Sequence, residues 1–182
     1  MQRTTNRPQL IDPRSYAKTL PFPAARLLDT GEGDLVQPLD LQFQWKLQGP
    51  ETGFQFSVYE MVLLPGKRVP LHIHPFSEFF YVLEGQLDVM TLDSEGELKW
   101  IELRSGQCVN APSTTPHGLK NRSEKAVKFL SVANYEHQRP FDDYQDWLAT
   151  EAGALANTEQ RSETLMKIFE GYKIQFFDID GQ

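Results

Sequence analysis

Between Leu41 and Leu47 apolar and polar positions alternate, with Leu41, Phe43, Trp45 and Leu47 set against Gln42, Gln44 and Lys46. A period of two marks a strand with one buried face. Further short strands are read at 54–64, 71–74, 78–83, 86–92, 98–103, 107–110, 117–120 and 127–134. Turn residues separate them at Pro65-Gly66, Glu84-Gly85, 93–96 and Ser105-Gly106. No helix fits between residues 40 and 135. Parallel strands need long crossovers, so the pattern predicts an all-β, antiparallel sandwich or barrel.

Two stretches break the simple alternation. Over 54–64 the apolar positions change phase, from Phe54, Phe56 and Val58 to Tyr59, Met61 and Leu63, which predicts a bulge or burial on both faces. Phe79, Tyr81 and Leu83 lie on the face opposite Glu78, Phe80 and Val82. The outside of that strand therefore needs a cover, either the N-terminal arm or a second subunit, and a homodimer is expected.

The two ends read differently from the middle. Residues 1–38 carry Pro8, Pro13, Pro21, Pro23 and Pro38 without periodicity and predict an extended arm. After Pro140 the period becomes helical, with Phe141, Tyr144, Trp147 and Leu148 on one stripe. A second helix is predicted from an Asn157/Gln160 cap through Leu165, Ile168 and Phe169 to Gly171. Such helices must dock on the barrel, with packing as the default role of their aromatic stripe and a lid as the alternative. The expected organisation is an arm over 1–38, one barrel domain over 39–137 and a helical segment over 138–182.

Composition narrows the function. The 25 Asp and Glu outnumber the 18 Lys and Arg, and Gly66-Lys67-Arg68 is the longest basic cluster, which argues against nucleic acid as a partner. One cysteine, Cys108, excludes an intramolecular disulfide and reads as a small buried hydrophobe. The longest apolar run, 79–83, is too short to span a bilayer, and the first residues lack the apolar core of a signal peptide. A cytoplasmic protein with a small-molecule substrate or ligand and no membrane partner is expected.

The chemistry concentrates between Gly66 and Gly85. On a strand His72 and His74 project to one side while Ile73 faces away. A short Pro75-Phe76-Ser77 turn lets the chain return and brings Glu78 alongside them. Two imidazoles and a carboxylate suit a borderline divalent ion, and His117, in a second block running from Gly106 to Asn121, supplies a fourth donor. Four protein donors leave a position open on a five- or six-coordinate ion, as a catalytic metal requires.

Gly66, His72, His74, Glu78 and Gly85, followed by Gly106, Pro112, His117 and Asn121, resemble the two sequence motifs of the cupin superfamily. The resemblance covers roughly residues 40–135 and implies a double-stranded β-helix barrel. It also implies His72, His74, Glu78 and His117 as ligands of one divalent transition metal: iron, manganese, nickel, copper, cobalt or zinc. The glycines and Pro112 would then shape turns, and Asn121 would be structural. Thr114 departs from the pattern, standing where glycine is usual and where threonine tolerates a positive φ poorly.

The stretch 78–85 is similar in aromatic character to small quercetinase-like cupins, which implies a metal-dependent dioxygenase acting on an enolic or aromatic substrate with Glu78 as proton acceptor. A metal-dependent isomerase or lyase for a sugar or keto acid is the alternative, with Arg68, Lys120 and Lys128 as its candidate anion binders. A non-catalytic ligand-binding module is the third reading. His137 reads as an ordinary surface histidine, with a proton carrier at the pocket rim as the alternative. Asp142, Asp143 and Asp146 read as a solvated first helical turn.

Overall fold

The computed structural model describes residues 25–38 and 41–177. Two compact units divide the chain, residues 1–30 and residues 31–182. Most of the arm expected over 1–38 lies outside the described residues, as does the end of the chain after 177.

Among its described residues the second unit holds eleven short strands: β1 (Asp34–Val36), β2 (Phe43–Leu47), β3 (Phe56–Leu63), β4 (Arg68–Ile73), β5 (Glu78–Glu84), β6 (Gln86–Leu92), β7 (Leu98–Arg104), β8 (Cys108–Ala111), β9 (His117–Lys120), β10 (Val127–Asn134) and β11 (Gln175–Phe176). They form two antiparallel sheets, one in the order β1-β2-β3-β10-β5-β8 and the other in the order β11-β4-β9-β6-β7. This is the expected all-β double-sheet architecture. The helices α1 (Arg139–Leu148), α2 (Glu151–Leu155) and α3 (Thr158–Gly171) follow the last long strand. No helix among the described residues is long and apolar enough to cross a membrane.

Alternation decides what each strand buries. On β3 the inward residues are Ser57, Tyr59, Met61 and Leu63, and on β10 they are Val127, Phe129, Ser131 and Ala133. The first sheet's Phe43, Trp45, Phe80 and Val82 meet Leu87, Val89, Leu103 and Leu119 of the second in one core. At ~25 cal/mol per Å² of apolar surface, each of these side chains contributes on the order of 2 kcal/mol.

Several sequence expectations are corrected. β3 alternates without a break, and the irregularity lies on its partner, where the register steps from Trp45↔Tyr59 to Leu47↔Val58 and turns Leu47 outward. Phe54 and Phe56, read as inward, are exposed; Phe54 stacks edge-on against Tyr135 instead. A short 3-10 turn, Gly49–Thr52, occupies the region thought free of helix. Cys108 is exposed on β8, opposite Tyr81. Two strands escaped the pattern because they are only three and two residues long, β1 and β11. The Asn157/Gln160 capping box forms and α3 ends at Gly171, both as expected, while the left-handed residue lies beyond it at Lys173, φ 60.

The turn glycines behave as their positions require. Gly85 takes φ 82, and a Cβ there would meet Ala126 O at 2.8 Å. Thr114 takes φ 63, the conformation a glycine would adopt, and its N–H donates to His74 O at 2.9 Å. The departure from the motif therefore leaves the turn intact at the cost of local strain.

Candidate metal centre

His72 and His117 face each other across adjacent strands, paired directly in the β4–β9 ladder, and both side chains are buried. His74 lies one residue beyond β4. The expected hairpin return to Glu78 does not occur, since β4 and β5 belong to different sheets. Glu78 instead reaches the histidines from the opposite sheet.

The tautomers are set by the backbone. His72 Nδ1 lies 2.8 Å from Pro70 O, His74 Nδ1 3.0 Å from Phe76 O, and His117 Nδ1 2.8 Å from Thr115 O. A carbonyl can only accept, so each Nδ1 carries a proton and each Nε2 offers its lone pair whenever the ring is neutral. One ring nitrogen from each of His72, His74 and His117 lies within 4.8 Å of the other two, a ready donor group.

Glu78 adds the charge. Tyr59 Oη donates to its Oε1 at 2.7 Å and Ser131 Oγ donates to the same oxygen. Its Oε2 lies 3.4 Å from both His74 Nε2 and His117 Nε2. Burial pushes the carboxyl up, but the surrounding His137, His117 and His74 outweigh it and hold Glu78 well below the usual range, as the anion. Burial drives His72 down to about 3, so its ring stays neutral. Burial also opposes charge on His117, yet its contact with Glu78 prevails and raises it. His74 Nε2 is buried with no hydrogen-bond partner. Lone pairs and a carboxylate oxygen converging in a buried site repel one another unless a proton or cation joins them, so this donor set fits a divalent ion.

A model of the Cupin domain matches residues 59–133 of the chain. Over 89 residues the chain is 34% identical to the uncharacterized protein MJ1618 of Methanocaldococcus jannaschii, spanning 47% of this chain and 67% of that protein. The chain is a member of the cupin superfamily.

Two other relatives carry named activities. This cupin is 34% identical over 97 residues to polyketide synthase CurC of Streptomyces cyaneus, covering 53% of this chain and 58% of that one. It is 36% identical over 95 residues to quercetin 2,3-dioxygenase of Bacillus subtilis, covering 49% of this chain but only 26% of that enzyme.

Within the cupin fold a cavity of about 490 Å³ opens onto His72, His74 and Glu78. Its walls are mostly carbon, including Phe43, Phe80, Leu119 and Met61 from the strands and Phe141, Leu165, Met166 and Phe169 from the helices. The helical segment packs its own cluster around Tyr144, Leu165, Phe169 and Ile174 and turns part of it toward this cavity. Packing and cavity lining are thus one surface. Of the three basic residues weighed from sequence, Arg68 alone lines the cavity; Lys128 pairs with Glu60 at 3.5 Å and Lys120 sits over Trp100.

His137 overturns its expected place at the surface. It is buried, lines the cavity, stacks on Tyr59 and brings Nε2 to 3.7 Å from Glu78 Oε2. Its position past the last long strand gave no periodic signal, and only its pairing with the aromatic Phe141 four residues on could have hinted at burial. Asp142 and Asp143 accept hydrogen bonds from the Gln138 amide and the Tyr172 hydroxyl.

Proposed function

We propose that this cupin is a metal-dependent dioxygenase for a small enolic or aromatic compound, with His72, His74, Glu78 and His117 as ligands. The observation that carries the reading is a carbon-walled cavity of about 490 Å³ ending on a converging set of imidazole and carboxylate donors. A planar apolar substrate gains from such walls, while a single polar group is left to meet the donors. The likeness to quercetin 2,3-dioxygenase supports the same class of substrate.

When bound, a divalent transition metal supplies a Lewis acid that acidifies an enolic or phenolic hydroxyl and, if redox-active, a route for electrons. Glu78 receives the substrate proton on Oε2, because Oε1 is already held by Tyr59 and Ser131. Phe80 and the helix residues Phe141 and Phe169 exclude water and orient the ring system.

A step in polyketide synthesis is a second reading, favoured by the likeness to polyketide synthase CurC, of which the chain covers a larger share than it does of the dioxygenase. An isomerase or lyase for sugars or keto acids gains less support, since among the described residues Arg68 is the one Lys or Arg lining the cavity.

Oxygen consumption separates these readings. Protein loaded in turn with iron, manganese, nickel, copper or cobalt is offered flavonols, β-diketones and catechols in an oxygen electrode. Stoichiometric uptake with at least one pair is expected, and Glu78→Gln should cut it by ~10²–10⁴. No uptake with any pair overturns the oxygenase reading.

A further inference from the structure

His137 comes from outside the two sequence blocks that carry the other donors. It closes the 3-10 turn Tyr135–His137, between β10 and α1. That turn is anchored by its neighbour Gln138, whose Oε1 accepts from Gly49 N at 2.9 Å and whose Nε2 donates to Gln48 and Asp142. The imidazole stacks on Tyr59 with an interplanar angle of 13° and meets Phe76 edge-on and Phe141 obliquely.

Three imidazole nitrogens consequently fan around one carboxylate oxygen: His74 and His117 at 3.4 Å and His137 at 3.7 Å from Glu78 Oε2. The donor atoms of His74, Glu78 and His137 lie within 4.8 Å of one another, as do those of His72, His74 and His117, and His74 belongs to both groups. His137 also differs from the other three histidines in having no backbone carbonyl on Nδ1, which is buried without a hydrogen-bond partner. Leaving a buried polar group unpaired costs about 1–3 kcal/mol, and a phenylalanine could fill the same aromatic niche without that cost. Nε2, the nitrogen turned to the other donors, is also beyond hydrogen-bond distance, at 3.7 Å from Glu78 Oε2, so its lone pair is free for an ion.

We propose that His137 is a further metal donor, approaching from the cavity side so that four imidazoles and Glu78 surround one ion. The inference rests on the metal-centre reading of His72, His74, Glu78 and His117. A nitrogen-rich set of this kind favours iron, cobalt, nickel, copper or zinc over manganese or magnesium. It also gives the fourth imidazole a purpose. When Glu78 takes a proton, four neutral rings still hold the ion.

The test is a Co²⁺ titration of the full chain followed by visible absorption, with affinity measured against a competing chelator. His137→Phe keeps the aromatic packing and removes the lone pair; His137→Ala removes both. Both variants should still bind one Co²⁺ per chain, more weakly by at least the ~10–100-fold that losing even an outer partner of a metal site costs. Their d–d bands should shift and strengthen as the coordination number falls. If the Ala variant does not fold, the Phe variant carries the test. An affinity and spectrum for His137→Phe identical to those of the parent overturn the inference and leave the other four ligands standing. Failure of the parent to bind Co²⁺, or binding indifferent to His72→Ala, overturns the metal centre itself and the inference with it.

Discussion

Tyr59 on β3 donates its hydroxyl to Glu78 Oε1 on β5, and Ser131 on the strand between them donates to the same oxygen. Both donors are buried, so the carboxylate cannot rotate without breaking two charge-assisted hydrogen bonds. Burial, and then the charge of Glu78, raise the Tyr59 phenol well above its usual range, which keeps the proton on tyrosine. Tyr59→Phe should therefore lower the unfolding free energy by about 1.5–3 kcal/mol, the worth of a hydrogen bond to a charged group. Urea unfolding of the metal-free protein reads this, and an unchanged midpoint would show that Glu78 does not depend on Tyr59.

Thr114 holds φ 63 with a β-branched side chain. Relief of left-handed strain is worth ~1–2 kcal/mol, less the ~0.5–1 kcal/mol that glycine's extra freedom costs. Thr114→Gly should thus gain up to about 1 kcal/mol and raise the melting temperature by ~2–4 °C. The substitution also loses the Thr114 hydroxyl's bond to Ser113 O, which limits the gain. A lower melting temperature would place the stabilising role in that side chain.

Metal retention should depend on pH in a defined direction. Ligation needs neutral imidazoles, so protons compete with the ion and affinity falls with acid. Burial lowers His72 to about 3 and His137 to about 4, so neither competes near neutrality. The contact of His117 with Glu78 raises it against the effect of burial, so this ring takes up a proton more readily than those two. Affinity for Zn²⁺ should therefore begin to fall at a higher pH than an ordinary imidazole would set, and His117→Gln should flatten that part of the profile. Calorimetric titrations at several pH values provide the check.

How much of this was legible beforehand follows from where each signal lives. Strand alternation and turn glycines are local, so the spans 86–92, 117–120 and 127–134 coincide with Gln86–Leu92, His117–Lys120 and Val127–Asn134. The spacing of His72 and His74 is local too, and they do converge with His117. What sequence could not give was long-range: that Glu78 arrives from the other sheet, that β11 adds Phe176 beside His72, and that a 3-10 turn carries His137 inward. Elements of two or three residues hold no periodicity to read. The misplaced bulge has the same origin, because Lys46 and Leu47 against Val58 is a property of a strand pair, not of either strand.

The outer face of β5 bears on assembly. Tyr81 is 37% exposed, Val62 on β3 is 44% exposed, and Phe79 and Leu83 are half-buried on the same side of the sheet. A second copy of the chain covering that face would bury them, so a homodimer is expected at micromolar concentration, with Tyr81→Glu shifting it to monomer. Light scattering with the two proteins decides, and a monomeric parent would remove the expectation.

The central claim is that the buried histidines and Glu78 hold one transition metal. Protein purified without chelator and analysed for metals by mass spectrometry, beside His74→Ala after the same chelator wash, tests it most directly. The account predicts about one ion per chain in the parent, with nearly all of it lost from His74→Ala because the remaining donors no longer enclose the ion. Equal metal content in the two proteins, or none in a parent refilled with zinc, nickel or iron, would contradict it.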